Sequence, residues 1–107
     1  MTNFISTGST YWISDEEIQI LEKNATNGDK NSAFKLYQYH MFVSLDQDLE
    51  FKWLEIAAKN GHPIAQSNLA DLFFTQGNKE KAIFWAKKAY INGAKLPDEL
   101  KILININ

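Results

Sequence analysis

Two histidines, His40 and His62, and the neighbouring carboxylates Asp46 and Asp48 are the side chains best suited to acid–base or metal chemistry. A metal site on a helix needs ligands that share a face, as in the HExxH spacing, and neither histidine has a partner ligand at such a spacing. The chain has no cysteine, which excludes disulfides and thiolate metal sites. We therefore expect no metal and no cofactor.

These residues also form no catalytic pattern. Asp46 and Asp48 fall in a predicted loop, and nothing nearby in the sequence would enclose them in a pocket. The chain has no GxSxG nucleophile motif and no phosphate-binding glycine loop. His40 aligns with an inward aromatic position of the repeat described below, and His62 precedes Pro63, where it would cap a turn. We expect no catalytic residues and no enzymatic activity.

Composition limits the possible partners. The 107 residues are 45% hydrophobic and 22% charged, as in an ordinary single soluble domain. A formal net charge of −2, with lysines spread along the chain, gives no basic footprint for nucleic acid. No stretch approaches the roughly 20 apolar residues that span a bilayer, and MTNFISTGSTYW lacks the features of a secretory leader. We expect a cytoplasmic protein without nucleic-acid or membrane partners.

Capping signals and apolar spacing predict six helices. The clearest signal is Ser14 followed by Glu17, which have the spacing of a capping box. Ile18, Leu21 and Ala25 then recur at helical intervals. The helices are expected at about 14–27, 31–43, 47–60, 63–75, 78–92 and 96–105.

The middle of the chain contains two copies of one unit. Gly28, Gly61 and Gly93 stand 33 and 32 residues apart. A period of this size is typical of stacked helix pairs. Leu36 falls on Leu69 at an offset of 33, whereas later positions align at 32, so the middle loop of the first copy is one residue longer.

The second copy, GHPIAQSNLADLFFTQGNKEKAIFWAKKAYINGA, resembles the Sel-one-like repeat, which is close to the tetratricopeptide repeat. It carries the residues of that pattern in order: Gly61, Ala65, Gln66, Leu69, Phe73, Ala82, Trp85, Ala89 and Gly93. The first copy keeps Gly28, Leu36, Trp53, Ala57 and Gly61. It departs from the pattern at Tyr37, where a small residue normally lets the helices approach closely, and at Glu50, where Ala is expected.

The helix pattern and the resemblance together predict an all-α fold, a short right-handed α-solenoid of two full helix pairs with capping helices. The expected organisation is an N-terminal tail over 1–13 and one helical-repeat domain over 14–107, with repeats at about 28–60 and 61–92 and capping helices at 14–27 and 96–105. Proteins similar to this family bind a protein partner on the concave side of the superhelix.

The resemblance implies that the first helix of each pair lines this concave face. The predicted partner-binding residues are Asn31, Phe34, Gln38, Met41, Phe42, Ile64, Ser67, Asp71, Phe74 and Thr75. Half of them are large and apolar, and soluble proteins seldom expose such a group without a use. In the alternative interpretation, the end helices or the N-terminal tail cover this face and make it ordinary core.

Two further features leave alternatives open. The N-terminal Phe4, Ile5, Tyr11 and Trp12 are expected to dock on the first layer, or to form an arm used in dimer contact. A homodimer through Phe34, Phe42 and Phe74 is the third interpretation of the apolar group.

Acidic residues concentrate at 15–17 and again at Asp46, Asp48 and Glu50. They either cap helices and solvate the surface, or face a basic partner. Our first hypothesis is a cytoplasmic bacterial immunity protein that binds and neutralises a toxin domain, for example a nuclease. The alternative is a small adaptor that holds a peptide or protein in an assembly.

Overall fold

The computed structural model describes residues 13–106, so the expected tail, including Phe4, Ile5, Tyr11 and Trp12, lies outside the described residues except for Ile13. Within 13–106 the chain is all-α, as predicted, and contains no strand. The helices are α1 Asp15–Thr26, α2 Lys30–Tyr39, α3 Gln47–Lys59, α4 Pro63–Thr75, α5 Lys79–Ile91 and α6 Asp98–Leu103. A π-helical turn, His40–Ser44, continues α2.

Side chains satisfy the first free amides of most helices. Ser14 accepts a hydrogen bond from the Glu17 amide while the Glu17 side chain accepts from the Ser14 amide, which confirms the predicted capping box. Asp29, Asp46 and Asn78 cap α2, α3 and α5 through their side-chain oxygens. The helix starts are therefore fixed by short polar residues placed directly before each apolar stretch.

Helices α1, α3 and α5 all end in an Asn-Gly turn. The three glycines, Gly28, Gly61 and Gly93, have φ angles of 103°, 95° and 91°, a region that strains any residue with a Cβ. At the middle turn, the Gly61 amide donates to the Ala58 carbonyl and the His62 amide to the Ala57 carbonyl, both at 3.0 Å. These bonds define a Schellman motif. The chain therefore leaves each of these three helices at a similar angle to the axis of that helix.

The extra residue of the first copy lies in the π-helical turn. The two copies align at an offset of 33 before this turn and at 32 after it, where Asp46 and Asn78 are matching N-caps. A π turn is wider than an α turn and so accommodates an additional residue. Leu45 follows with a left-handed φ of 58° and ends the helix. The one-residue difference is thus absorbed in the end of the helix, and the predicted longer loop is wrong, because two residues, 45–46, precede α3 whereas three, 76–78, precede α5.

The last helix is shorter than the predicted 96–105. Pro97 is extended at its start, with ψ of 157°, and Asn105 has a left-handed φ of 62° after its end. These two conformations confine α6 to Asp98–Leu103. Leu100 is fully buried, and Leu103 and Ile104 pack against the core, as predicted.

Each helix packs on the next one along the chain, and the buried side chains form one continuous cluster. The buried residues of α2, the π turn and α5 include Ala33, Leu36, Tyr37, His40, Ala82, Trp85, Ala86 and Ala89. Four of these eight are alanines, which let neighbouring helices approach closely. Within the described residues, no helix has the length and apolar character needed to cross a bilayer.

Gln66 connects three helices through its buried side chain. It is 2% exposed, and its Nε2 donates to the carbonyl of Ala58, at the end of α3, at 3.0 Å. Its Oε1 accepts from Nδ2 of Asn92, the C-cap of α5, at 2.9 Å. The first copy has Ala33 and Asn60 at the matching positions, and Asn60 instead donates to the Ile56 carbonyl of its own helix. This bridge therefore exists at only one junction of the two copies.

We expect Trp85→Ala to lower the free energy of unfolding by roughly 3 to 5 kcal/mol, because it leaves a large cavity in the core. Trp85 is 9% exposed, whereas Ile91 on the same helix is 79% exposed. Ile91→Ala is the control and should change stability by less than about 1 kcal/mol. Urea unfolding followed by circular dichroism measures both, and similar losses for the two variants would contradict the packing described above.

Gln66→Leu should lower the free energy of unfolding by about 1 kcal/mol, since two side-chain hydrogen bonds are lost, while the Ala58 carbonyl keeps the Gly61 amide and the exposed Asn92 amide can bond water. Gln19→Leu, on the exposed surface of α1, is the matched control and should lie within about 0.5 kcal/mol of the parent. Urea unfolding followed by circular dichroism measures the stability of both variants. An unchanged midpoint for Gln66→Leu would show that the bridge does not hold the junction together.

Candidate partner-binding groove

Helix α4 presents a stripe of side chains along one face. Ile64, Asn68, Asp71 and Thr75 follow at intervals of three and four residues, which places them on the same side of the helix. Ile64, Asp71 and Thr75 are exposed, and Asn68 is half-buried. The stripe begins directly after Pro63, which occupies the first helical turn, where its missing N–H is tolerated.

Two clefts lie along this stripe. The first cleft, of about 460 Å³, lies between α2, α3 and α4, with apolar lining from Tyr37, Met41, Leu54 and Leu72 and polar lining from Glu50, Asn68, Asp71 and Thr75. The second cleft, of about 620 Å³, lies between α4 and the segment 93–97 and includes Ile64, Ser67 and Lys95. Because Asn68 and Asp71 line both clefts, the two form one surface, which we call the α4 groove.

The first cleft contains the two residues at which the first copy departs from the repeat pattern. Tyr37 aligns with Ala70 and Glu50 with Ala82, and both alanines are fully buried between their helices. Side chains as large as Tyr and Glu do not fit where a methyl group fills the space. They extend into the cleft and form part of its wall.

A hydrogen bond crosses the floor of the first cleft. Nδ2 of Asn68 donates to the Tyr37 hydroxyl at 3.3 Å and so joins α4 to α2. Burial raises the pKa of Tyr37, the Asn68 hydrogen bond lowers it, and the charge of Glu50 raises it. The Glu50 carboxylate thus lies close enough to repel the phenolate. The hydroxyl therefore keeps its proton at neutral pH.

The structure brings five of the ten predicted partner-binding residues to the α4 groove: Met41, Ile64, Ser67, Asp71 and Thr75. Asn31, Gln38 and Phe42 do not line it, although Phe42 is 54% exposed. Ser67 lines the second cleft although it is only 9% exposed and follows the buried residues Ala65 and Gln66.

Phe34 and Phe74 are also placed differently from the expectation. The Phe34 ring stacks on His62, with centroids 4.0 Å apart, and contacts Tyr37 at 5.3 Å. Phe74 is partly buried against the core. Of the three phenylalanines proposed for self-association, only Phe42 is mainly exposed, so they do not form one open apolar patch. The homodimer itself stays a prediction.

Sequence reasoning missed several groove residues. Asn68 lies four positions after Ile64 and three before Asp71, so helical spacing alone places it on the predicted face. Glu50, Leu54 and Leu72 gave no comparable signal, since they face the groove only through the packing of α3 against α4.

The histidines have structural roles in this fold. Nδ1 of His62 accepts the Ala65 amide at 3.2 Å, which confirms that His62 caps the turn before Pro63. His40 is 5% exposed, as predicted for a core position, and its Nδ1 lies 2.7 Å from the Ser44 hydroxyl. Burial lowers the pKa of both imidazoles. Both are therefore mainly neutral at physiological pH.

The acidic cluster before α3 also has a structural explanation. Asp46 Oδ1 accepts the Leu49 amide at 3.1 Å, so this carboxylate is occupied in capping. Asp48 lies in the first turn, where its charge suits the helix dipole. Across residues 13–106, no three histidines or carboxylates lie together as a metal site would require.

The lowered pKa of His62 predicts that protonation weakens the fold. Burial, followed by the charge of Lys30, lowers its pKa from 6.5, so the unfolded chain binds more protons between the folded pKa and 6.5. The free energy of unfolding should therefore fall as the pH drops below about 6.5. His62→Ser keeps a capping side chain without this titration and should show a smaller fall. If the free energy of unfolding falls equally with pH in the parent and in His62→Ser, this assignment is wrong.

A protein of Escherichia coli (strain K12), the uncharacterized protein YibG, is 34% identical to this chain over 95 residues. The match covers 82% of this chain and 62% of YibG, so the chain spans less than two thirds of that relative's length. No protein-family model matches the chain. No solved structure matches it either. The chain is thus similar to YibG over most of its own length, and the name of that relative assigns it no activity.

Proposed function

We propose that this chain is a short right-handed α-solenoid of Sel-one-like helix pairs that binds a protein partner along the α4 groove and performs no catalysis. The observation that carries the proposal is the stripe on α4. It exposes Ile64, Asp71 and Thr75 between two clefts, whereas the opposite side of the same helix is buried. A helix in the middle of the chain that leaves one face open between clefts offers a concave site for a ligand.

The repeated turns support the solenoid arrangement. A solenoid forms when each helix pair is rotated by the same small angle relative to the pair before it. The Asn-Gly turns after α1, α3 and α5 have nearly the same dihedral angles, and similar hydrogen bonds close each of them. The pairs α2 with α3 and α4 with α5 are then the two repeats, while α1 and α6 cover the ends.

The groove has the mixed character of a protein-binding surface. Ile64, Met41 and Leu72 offer apolar contact, and Asn68, Asp71 and Thr75 offer polar contact beside them. Apolar contacts at the centre with polar neighbours are typical of protein interfaces. A segment of a protein fits this surface better than a small metabolite, because the two clefts extend along a whole helix.

For the partner, we propose a toxin domain that the chain neutralises inside a bacterial cytoplasm, as an immunity protein does. The acidic residues Glu50 and Asp71 in the groove support a basic partner surface, such as a nuclease would present. The adaptor alternative uses the same groove and differs only in that no activity is blocked. A growth-rescue experiment separates the two.

We expect Ile64→Asp to weaken binding of the partner by at least about tenfold, because it places a charge in the apolar part of the groove. Ile64 is 53% exposed, so the substitution should leave the helical circular dichroism signal unchanged. Ile91→Asp introduces the same charge at a 79% exposed position on α5, away from the groove, and is the matched control. Binding is measured by calorimetry. The binding partner is the purified protein encoded by the gene directly upstream of this one in the native genome, which is the candidate toxin.

The functional readout is growth of cells that express that gene product. Rescue by the parent and by Ile91→Asp, but not by Ile64→Asp, is the expected result for an immunity protein. Binding with the same sensitivity to Ile64→Asp, but with no toxicity to rescue, would assign the adaptor role. Equal binding by both variants would remove the α4 groove from the interface.

A further inference from the structure

We propose that the first cleft binds an arginine or lysine side chain, carried by a partner segment that is apolar on either side of it. This inference rests on the proposed function and names the chemistry of the partner at that groove. It draws on the charges that line the cleft, on their lack of counter-ions and on the apolar walls beside them.

The charged residues lining the first cleft are both acidic. Glu50 reaches it from α3 and Asp71 from α4, and no lysine or arginine lines it. An adjoining hollow, lined by Gln47, Glu50, Phe51, Leu54, Leu72 and Gln76, again has Glu50 as its one charged residue. Neither carboxylate forms an ion pair with another residue in the range 13–106. The charged side chains that line the first cleft are therefore both negative, and neither is held in an ion pair by another described residue.

Both carboxylates line the same cleft as the two residues of the Tyr37–Asn68 hydrogen bond. Asp71 follows Asn68 by three residues on the same face of α4. A cationic group above this hydrogen bond would be within reach of both acids. A guanidinium fits such a position best, because its donors point in several directions in one plane.

The walls of the cleft suit the rest of such a side chain. Met41, Leu54 and Leu72 form an apolar wall next to the carboxylates. Arginine and lysine bury their methylene stems along apolar surfaces while the charged head meets polar groups. Apolar residues on either side of the cation would then reach Ile64 in the second cleft and Phe51 in the adjoining hollow. An acidic segment or a nucleic-acid backbone would be repelled from the same place.

Two residues that are particular to the first copy line this cleft. Tyr37 and Glu50 stand where the second copy has the buried alanines Ala70 and Ala82. The site thus arises from two substitutions within one repeat. It is independent of the general capacity of helical repeats to bind polypeptides.

The test uses fluorescein-labelled peptides with the sequence Gly-Leu-X-Leu-Gly, where X is Arg, Gln or Glu, titrated into the full chain and followed by fluorescence anisotropy. Amide NMR spectra locate the binding site. We expect the Arg peptide to bind at least about tenfold more tightly than the Glu peptide, with a difference that shrinks at high salt. The largest shifts should occur at Tyr37, Glu50, Asn68 and Asp71.

The double variant Glu50→Gln/Asp71→Asn should remove the preference for Arg over Gln. The double control Glu16→Gln/Glu80→Gln removes the same net charge from two exposed positions outside the clefts and should keep that preference. Circular dichroism confirms that both variants fold.

Equal binding of all three peptides with shifts in the groove would overturn this inference and leave the proposed function standing. A preference for Arg that the control abolishes equally would also overturn it, since net charge would then explain the effect. If light scattering shows that the parent is a dimer and the double variant a monomer, the cleft binds a second copy of the chain, and this inference is wrong. If no peptide binds, and calorimetry detects no complex between the parent chain and the partner protein, both proposals are rejected.

Discussion

The hydrogen-bonded turn that follows α1, α3 and α5 is the constraint on which the rest of this structure depends. An asparagine and a glycine at 27–28, 60–61 and 92–93 close each turn, and the positive φ of the glycine sets the direction of the next segment. With these directions fixed, the buried alanines of one helix meet those of the next, and a continuous core results. Gln66 strengthens the second junction by joining the ends of α3 and α5.

The candidate site arises where the two copies differ. In the second copy, Ala70 and Ala82 let α4 and α5 pack without a gap. In the first, Tyr37 and Glu50 occupy the matching positions and line an open cleft together with the stripe on α4. The first cleft therefore lies where these two larger side chains replace alanines.

Local signals in the sequence predict most of the fold. The capping box at Ser14, the proline at position 63 and the spacing of the glycines place four helices to within about two residues, because these effects act over one turn of chain. The second helix agrees as closely only when its π turn is included. The last helix is shorter than predicted, since its limits depend on the backbone of Pro97 and Asn105. The π turn was not predicted either. Alignment of the two copies shows that the first has one extra residue, but it does not show that a π turn accommodates this residue.

The candidate site is less predictable for a related physical reason. Residues on one helix, such as Ile64, Asp71 and Thr75, follow from periodicity alone, and the structure places all three in the groove. Glu50 and Leu54 approach them only through packing between helices, which a single sequence does not encode in its spacing. The stacking of Phe34 on His62 likewise depends on packing between helices, which the spacing of residues does not predict.

The central claim is that the open face of α4 contacts a protein partner. Hydroxyl-radical footprinting of the chain, alone and bound to the product of the adjacent gene, tests it most directly because it reports side-chain exposure at single residues. Met41 and Ile64 should become protected in the complex, while Tyr90 on α5 should react as in the free chain. Protection of Tyr90 with unchanged oxidation of Met41 and Ile64 would contradict the account and move the interface to the outer surface of α5.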